Sequence, residues 1–481
     1  MSSYIGGKGY SIYKECLSIQ EQQWIRKELC VRPYIPKAPV QPPSFPIYRE
    51  GPSKIYIPRF FGNDTYGEAD EDRLPKGTAI SLRFTGNLRD YQQKIANAYL
   101  DQRDEVGCGG LLEIPCGRGK TVIALSLIAS LGVKTLVIVH KSFLMNQWIE
   151  RIQQFLPEAR IGRIQGQIID IEDKDIVIGM LQSLSMKEYP EDLFQSFGLT
   201  VVDECHHISS EVFSRSLSKI VTRHVLGLSA TMERKDGLTK VFKMFLGPVA
   251  YKEERESDDS VLVKAIQYDA RDEEFNETIQ DYRGNPAYSQ MITKLCEYGR
   301  RSDFIVSVIK QELSIREAQQ IMILSQNKSL LVYLQKAIQH KNIASVGYYV
   351  GGMKEAALKE SENCKIILAT YAMAAEALDI KTLTTLILAT PRTDITQAVG
   401  RILRMPHERP LVVDIIDTHD VFQNQWKKRR TFYKKQGYNI TQTTSINYPK
   451  NIWQNDAVVK KKVKSKKKTC LITLPGMCSE D

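Results

Sequence analysis

The sequence predicts an α/β protein: two tandem domains, each a parallel sheet covered by helices on both faces, with a small N-terminal part ahead of them and a flexible basic tail behind. Three observations predict it. Apolar runs of four to six residues recur from residue 86 ("GGLLEI", "TLVIV", "DIVIG", "LTVV", "HVLGLS") and again from about residue 303 ("IMIL", "KIILAT", "TLILAT", "LVVDIID"). Helical patterns such as "VIALSLIASL" and "SFLMNQWIERIQQFL" lie between them, and that alternation makes a parallel sheet buried on both faces. Finally, 481 residues are too many for one core and suit two or three domains.

Taken in order, residues 1–85 are rich in proline and aromatics and read as an N-terminal accessory domain of turns and short strands. Ser18 and Glu21 have capping-box spacing, which predicts one helix from about Ile19 to Leu29. Residues 86–251 form the first α/β domain. Residues 252–302, opening with "KEERESDDS", break the alternation and read as a linker or insertion. Residues 303–437 form the second α/β domain, and 438–481 read as a flexible basic tail without periodicity.

Composition narrows the function classes. The chain is 42% apolar and 25% charged, which fits a folded protein. No run of 18 uncharged apolar residues suggests a membrane span, and the start "MSSYIGGKGYSIYKE" does not read as a signal peptide. The nine cysteines include no C-x-x-C, which points to reduced thiols in an intracellular setting and away from a cysteine zinc site. Net charge is +10, but "KKKVKSKKK" (460–468) holds seven lysines, and without them the rest carries +3. That run reads as a solvated tail, a nuclear address or a tether for nucleic acid.

Two stretches carry most of the chemistry. "IPCGRGKT" (114–121) turns between a strand and a helix. Gly117 and Gly119 allow positive φ and close backbone approach, and the helix start adds its N–H groups. Lys120 supplies a charge for the β- and γ-phosphates, and the Thr121 hydroxyl a ligand for Mg²⁺. The alternative is a glycine turn that binds nothing; the general pattern has a glycine where this chain has Ile114. Cys116, inside the loop beside Arg118 and Lys120, reads either as an acidified thiol shielded by nucleotide or as a buried inert cysteine. "LTVVDECHHI" then ends an apolar strand on Asp203 and Glu204, where ligands of open parallel sheets collect. Asp203 suits Mg²⁺ and Glu204 suits the base that activates water. Without cysteine partners the adjacent histidines do not read as zinc ligands, and His206 is expected to be a coupling residue. "LGLSATMERKDG" places Ser229 and Thr231 after another strand. "TDITQAVGRILR" places Gln397, Arg401 and Arg404 on a helix, the arginines sharing a face.

In this order the motifs resemble the superfamily-two helicases and translocases with tandem RecA-like domains, over residues 86–420. "SATMERKDG" is similar to the branch of the xeroderma pigmentosum B helicase and the phage enzyme UvsW. "SIQEQQWIRKELCVRP" and "ATPRTDITQAVGRILR" resemble helicases of large cytoplasmic DNA viruses, the poxvirus transcript-release helicase among them. The resemblance implies roles for further residues. Gln92 in "NLRDYQQ" would contact adenine and Asp379 would lie near the ribose. Lys141, Gln182 and Thr370 would touch nucleic acid. Ser229, Thr231 and Gln397 would couple the two activities. Arg401 and Arg404 would complete an ATP site in the cleft between domains. The family loop also lacks the distant glycine that Ile114 replaces. The resemblance further implies ATP and Mg²⁺ as cofactors, DNA-stimulated ATPase activity and 3′-to-5′ motion on DNA, in viral transcription or in DNA repair or replication. An RNA helicase is the alternative substrate reading. An ATP-switched binding factor docking on RNA polymerase is the alternative of another class. The setting implied is host cytoplasm or virion, with the nucleus open through the lysine-rich tail.

Overall fold

The computed structural model describes residues 2–35, 40–102, 108–115, 117–190, 192–205, 210–231, 236–253, 260–376, 380, 382–403, 407 and 409–455. Its main body is two eight-stranded sheets. Across the first, the strands run in the order Ile168–Asp170, Ile161–Gln165, Ile176–Met180, Thr135–Val139, Leu199–Val202, His224–Ser229, Gly109–Glu113 and Val249–Lys252. All pair in parallel except Ile168–Asp170, which folds back antiparallel at the edge. The middle strands are buried at every position because helices cover both faces. This is why they read as unbroken apolar runs rather than as alternating ones.

The second sheet runs Val346–Tyr349, Ile366–Thr370, Gln320–Ser325, Leu383–Leu388, Leu411–Asp417, Leu262–Tyr268, Asn439–Thr444 and Gln454–Asn455. Only the last pairs antiparallel. Two expectations are corrected here. The stretch 252–302, read as linker or insertion, supplies Leu262–Tyr268, hydrogen-bonded between Leu411–Asp417 and Asn439–Thr444. It also supplies the helix Tyr288–Glu297, with Met291, Ile292, Leu295 and Cys296 in the core. The segment after Gly437, read as a flexible tail, is folded through Asn455: it adds two strands and buries Tyr448, whose hydroxyl donates to Glu312 Oε1 at 2.7 Å. Residues 456–481, including the lysine run, lie outside the described residues.

The N-terminal part holds more structure than its composition suggested. Ser3–Gly6, Gly9–Tyr13, Lys54–Ile57 and Arg49–Glu50 make an antiparallel sheet. The expected helix spans Ile19–Glu28, and its capping box is formed: Glu21 N donates to Ser18 Oγ (3.2 Å) and Ser18 N donates to Glu21 Oε2 (2.7 Å). A second helix, Arg59–Tyr66, was not foreseen. It docks the N-terminal part on the first sheet. Buried Arg59 donates to the carbonyl of Arg223 at 2.8 Å, and the Phe60 ring lies where a Cβ on Gly109 would come within 1.9 Å. A single apolar core accordingly runs from Ile5, Tyr10 and Ile12 to Leu136, Phe213 and Phe242.

The second domain contains an ion pair whose two side chains are fully buried. Arg301 Nε donates to Asp417 Oδ1 (2.6 Å) and Nη2 to Oδ2 (2.8 Å), both side chains fully buried. It fastens a residue of the 252–302 stretch to the strand Leu411–Asp417. Removing one partner strands a buried charge, so Asp417→Ala should cost about 3–5 kcal/mol. Arg215→Ala, which removes an exposed pair with Glu211, should stay within about 0.5 kcal/mol. Urea unfolding of the two variants checks the contrast.

Candidate nucleotide site and nucleic-acid face

The first sheet sets the order of the site residues, because each follows the carboxyl end of a neighbouring strand. Across that edge come Gln182, after Ile176–Met180; Lys141, after Thr135–Val139; Asp203 and Glu204, after Leu199–Val202; Ser229, ending His224–Ser229; and the glycine loop, after Gly109–Glu113. Topology thus sorts them. The loop, Ser229 and the acids share one half of the edge, and Lys141 and Gln182 share the other.

The loop is shaped by its glycines. Gly117 has φ +83° and Gly119 φ +80°, in the left-handed region that L side chains rarely adopt. A Cβ on Gly119 would also stand 2.4 Å from Gln92 Nε2. The helix Lys120–Leu131 starts immediately after it, with Ile123 donating its first intrahelical bond to the Gly119 carbonyl (3.1 Å). Amides ahead of that bond point out of the helix start, where an anion is favoured. Gln92, expected on adenine, braces the loop here: Nε2 donates to the Arg118 carbonyl (3.1 Å) and Oε1 accepts from Arg89 N (3.0 Å). Arg118 lies over the Tyr91 ring, 3.9 Å from its centroid, and is paired with Glu253. Neither Tyr91 nor Glu253 was singled out from sequence.

The acids meet the loop directly. Lys120 Nζ donates to Glu204 Oε1 at 2.7 Å across 84 residues of chain. Glu204 sits at φ +47°, an uncommon conformation for a residue with a Cβ. Its N–H donates to Asp203 Oδ1 (2.9 Å), and the Trp148 indole N–H donates to Asp203 Oδ2 (2.8 Å). Burial pushes the Asp203 carboxyl up to about 6, and the charge of Glu204 pushes the same way; Lys120 and the Trp148 hydrogen bond oppose them. Cys205 beside them is pushed up to about 12, chiefly by burial, which makes it an inert thiol. Among the described residues no three His, Cys, Asp or Glu side chains gather as a metal site. A Thr121 hydroxyl and one carboxylate instead fit a Mg²⁺ carried mainly by nucleotide phosphates.

The other expected residues fall as follows. Ser229 Oγ donates to the Thr231 carbonyl (2.5 Å) and accepts from Thr231 N (3.2 Å), closing a small turn beside the acids. Lys141 is the residue before the helix Ser142–Phe155, and burial lowers its ammonium pKa. Gln182 Nε2 donates to the His140 carbonyl (3.1 Å), tying two strand ends of that half of the edge. In the second domain Thr370 ends the strand Ile366–Thr370, and Gln397 and Arg401 lie on the short helix Thr396–Arg401. Arg401 is buried, and its Nε donates to the Ala374 carbonyl (2.8 Å), bracing that helix against Tyr371–Glu376. Cys116, His206, Asp379 and Arg404 lie outside the described residues.

Known proteins resemble this chain in sequence and in fold. The family described as "Type III restriction enzyme, res subunit" matches residues 85–234. A protein of Acanthamoeba polyphaga mimivirus named "Putative ATP-dependent RNA helicase" is 34% identical over 470 residues, covering 94% of this chain and 90% of its own. The DNA 3′-5′ translocase XPB2 of Sulfurisphaera tokodaii is 34% identical over 165 residues, 34% of this chain and 35% of its own. Among solved structures, S. cerevisiae Dbp5 bound to RNA and ADP BeF3 shares the fold, with TM-score 0.51, 12% identity, and coverage of 74% of this chain and 91% of that one. The two sheets are tandem RecA-like domains, and with the sequence relatives they define the class of ATP-hydrolysing helicases. Within it, the chain belongs to the superfamily-two ATP-dependent helicases, in the group carried by large DNA viruses. Among the described residues no helix is long and apolar enough to cross a membrane.

The raised carboxyl of Asp203 gives a pH test in the absence of Mg²⁺ and nucleotide. The folded protein holds that proton more tightly than the unfolded chain, so the buried charge costs stability as pH climbs from the ordinary 3.8 through about 6. Asp203→Asn carries no such charge. Its melting temperature relative to the parent should therefore rise between pH 5 and pH 8. Differential scanning calorimetry across that range reads the slope, whatever constant offset the amide adds.

Proposed function

We propose that this helicase hydrolyses ATP at the first domain's glycine loop and uses the cycle to move along a DNA strand in the 3′-to-5′ direction. The observation that carries the ATP reading is the meeting of Lys120 with Glu204 beside Asp203, at the end of a buried strand. Lys120 holds the β- and γ-phosphates. Thr121 and Asp203 would hold the Mg²⁺ that accompanies ATP and offsets charge on the transferring phosphoryl group. Glu204 accepts the proton of the attacking water as the water oxygen bonds to the γ-phosphorus and the bond to the ADP oxygen breaks. For that, Lys120 must leave Glu204 for the phosphates, so nucleotide binding itself frees the base. Gln92 moves from its brace on the Arg118 carbonyl to the adenine. Arg401 and Arg404 complete the site from the second domain when the cleft closes.

The nucleic-acid half supports the motor reading. Lys141, Gln182 and, from the second domain, Thr370 are suited to phosphate and sugar contacts, which position a strand without reading sequence. The helix that follows Lys141 already touches the second domain: Asn146 Nδ2 donates to Glu355 Oε2 (3.1 Å), and Lys359 lies 3.7 Å from Glu150. DNA and direction are favoured by the likeness to the archaeal translocase. RNA is the second reading, favoured by the name of the mimivirus relative.

The test compares ATP turnover with single-stranded DNA, duplex DNA and RNA side by side. DNA should stimulate most, and Lys120→Ala should abolish hydrolysis. Glu204→Gln should lower kcat by about 10²–10⁴-fold, the range that general-base catalysis supplies. Stimulation by RNA alone would move the substrate to the second reading. Parental turnover in Glu204→Gln would remove Glu204 from the role of base.

A further inference from the structure

Trp148 is the residue for which neither the core nor the motor cycle accounts fully. It lies mid-way along the helix Ser142–Phe155, 1% exposed, among Val139, Ile152, Leu199 and other apolar side chains. A phenylalanine would fill most of that volume. The indole adds one thing, an N–H, and a buried indole N–H requires an acceptor. Here the acceptor is Asp203 Oδ2 at 2.8 Å, 55 residues further along the chain.

The choice of donor matters. An arginine at this place would grip the carboxylate and neutralise it. The indole and the Glu204 amide take one oxygen each, and both are uncharged. Asp203 is thus fixed in direction at both oxygens while keeping its negative charge. Each oxygen also keeps acceptor capacity for a further contact. A carboxylate held this way is pre-aimed for a cation.

The helix has a second face. Asn146 and Glu150 lie two residues either side of Trp148, four apart on one stripe, and both meet the second domain. Trp148 points the opposite way, into the first domain's core. One rigid element therefore joins the domain contact to the Asp203 carboxylate.

We propose that Trp148 is a positioning residue: its indole N–H holds the Asp203 carboxylate in the direction required for the magnesium of bound ATP. The inference rests on the reading of Asp203 as a magnesium ligand. It adds a residue whose own side chain touches neither nucleotide nor metal.

The test uses the full chain with two replacements. Trp148→Phe removes the N–H and some volume. β-(3-Benzothienyl)alanine, introduced at 148 by semisynthesis or suppression, keeps the bicyclic shape and replaces only the N–H by sulfur. Binding of a fluorescent ATP analogue is followed in EDTA and through a Mg²⁺ titration, alongside kcat and KM. The benzothienyl protein should bind the analogue in EDTA within about twofold of the parent. Its half-saturating Mg²⁺ should rise, and kcat fall, by about 10–100-fold, the usual effect of losing a partner that orients a metal ligand. Trp148→Phe should behave alike where it folds; where it does not, the benzothienyl protein decides. A benzothienyl protein with parental Mg²⁺ dependence overturns the proposal. Asp203→Asn separates the two levels. If it too leaves the Mg²⁺ dependence unchanged, the assignment of Asp203 as a ligand fails, and this inference with it. If Asp203→Asn shifts the dependence and the benzothienyl protein does not, only the role of Trp148 fails.

Discussion

Everything at the nucleotide site follows from placing two adjacent carboxylates at the end of a fully buried strand. Leu199–Val202 is buried at all four positions. Asp203, next in line, is only 6% exposed. Two like charges there would repel and suffer from lost hydration. The structure answers with one cation and two neutral donors. Lys120 takes Glu204, the Glu204 amide takes one Asp203 oxygen, and Trp148 takes the other. The lysine proposed to hold phosphate is therefore the counter-ion of the acid pair in this structure. In the proposed cycle a bound triphosphate with its cation would replace that arrangement as a unit, and occupancy of the loop would then be coupled to release of Glu204.

The same constraint explains why the surrounding parts are rigid where they are. Gly119 takes a left-handed conformation with Gln92 packed where a Cβ would go, so the loop enters its helix in one way. Ile114, in the place where a general phosphate loop has glycine, is fully buried and donates its N–H to the Ser229 carbonyl at 2.9 Å. It fastens the loop's entry strand to the strand bearing Ser229, a role in which its side chain is an asset. Gly109 serves another purpose again, admitting Phe60 of the N-terminal part against the sheet.

Much of this was legible in the sequence, for physical reasons. The nine apolar runs quoted at the outset form strands because burial on both faces favours apolar residues at most positions, and a polar one such as Asp417 needs a buried partner. The capping box of Ser18 and Glu21 is a local signal and appears as read. What escaped was whatever depends on partners far along the chain. Leu262–Tyr268 carries Lys264, which looks wrong for an inner strand. Its ammonium is met by both Glu312 oxygens at 2.8 Å and lies over the Trp453 ring. Asn439–Thr444, "NITQTT", buries only Ile440 fully, and it pairs with a strand more than 170 residues earlier. The helix Arg59–Tyr66 starts after Pro58 with no capping side chain, so it lacks a start signal. Trp148 was legible as a helical residue; its bond to Asp203, from the next strand across the sheet, was not.

In the proposed cycle Glu204 restrains Lys120 until nucleotide takes the lysine. Equilibrium binding of a non-hydrolysable ATP analogue, measured by isothermal titration calorimetry on parent and Glu204→Gln at constant Mg²⁺, tests it directly. Removing the charge from residue 204 frees Lys120 without altering the shape of the loop. Binding should be tighter in the variant, by a factor on the order of ten, because a charge-assisted bond of about 1.5–3 kcal/mol no longer competes. Equal or weaker binding in Glu204→Gln would contradict it.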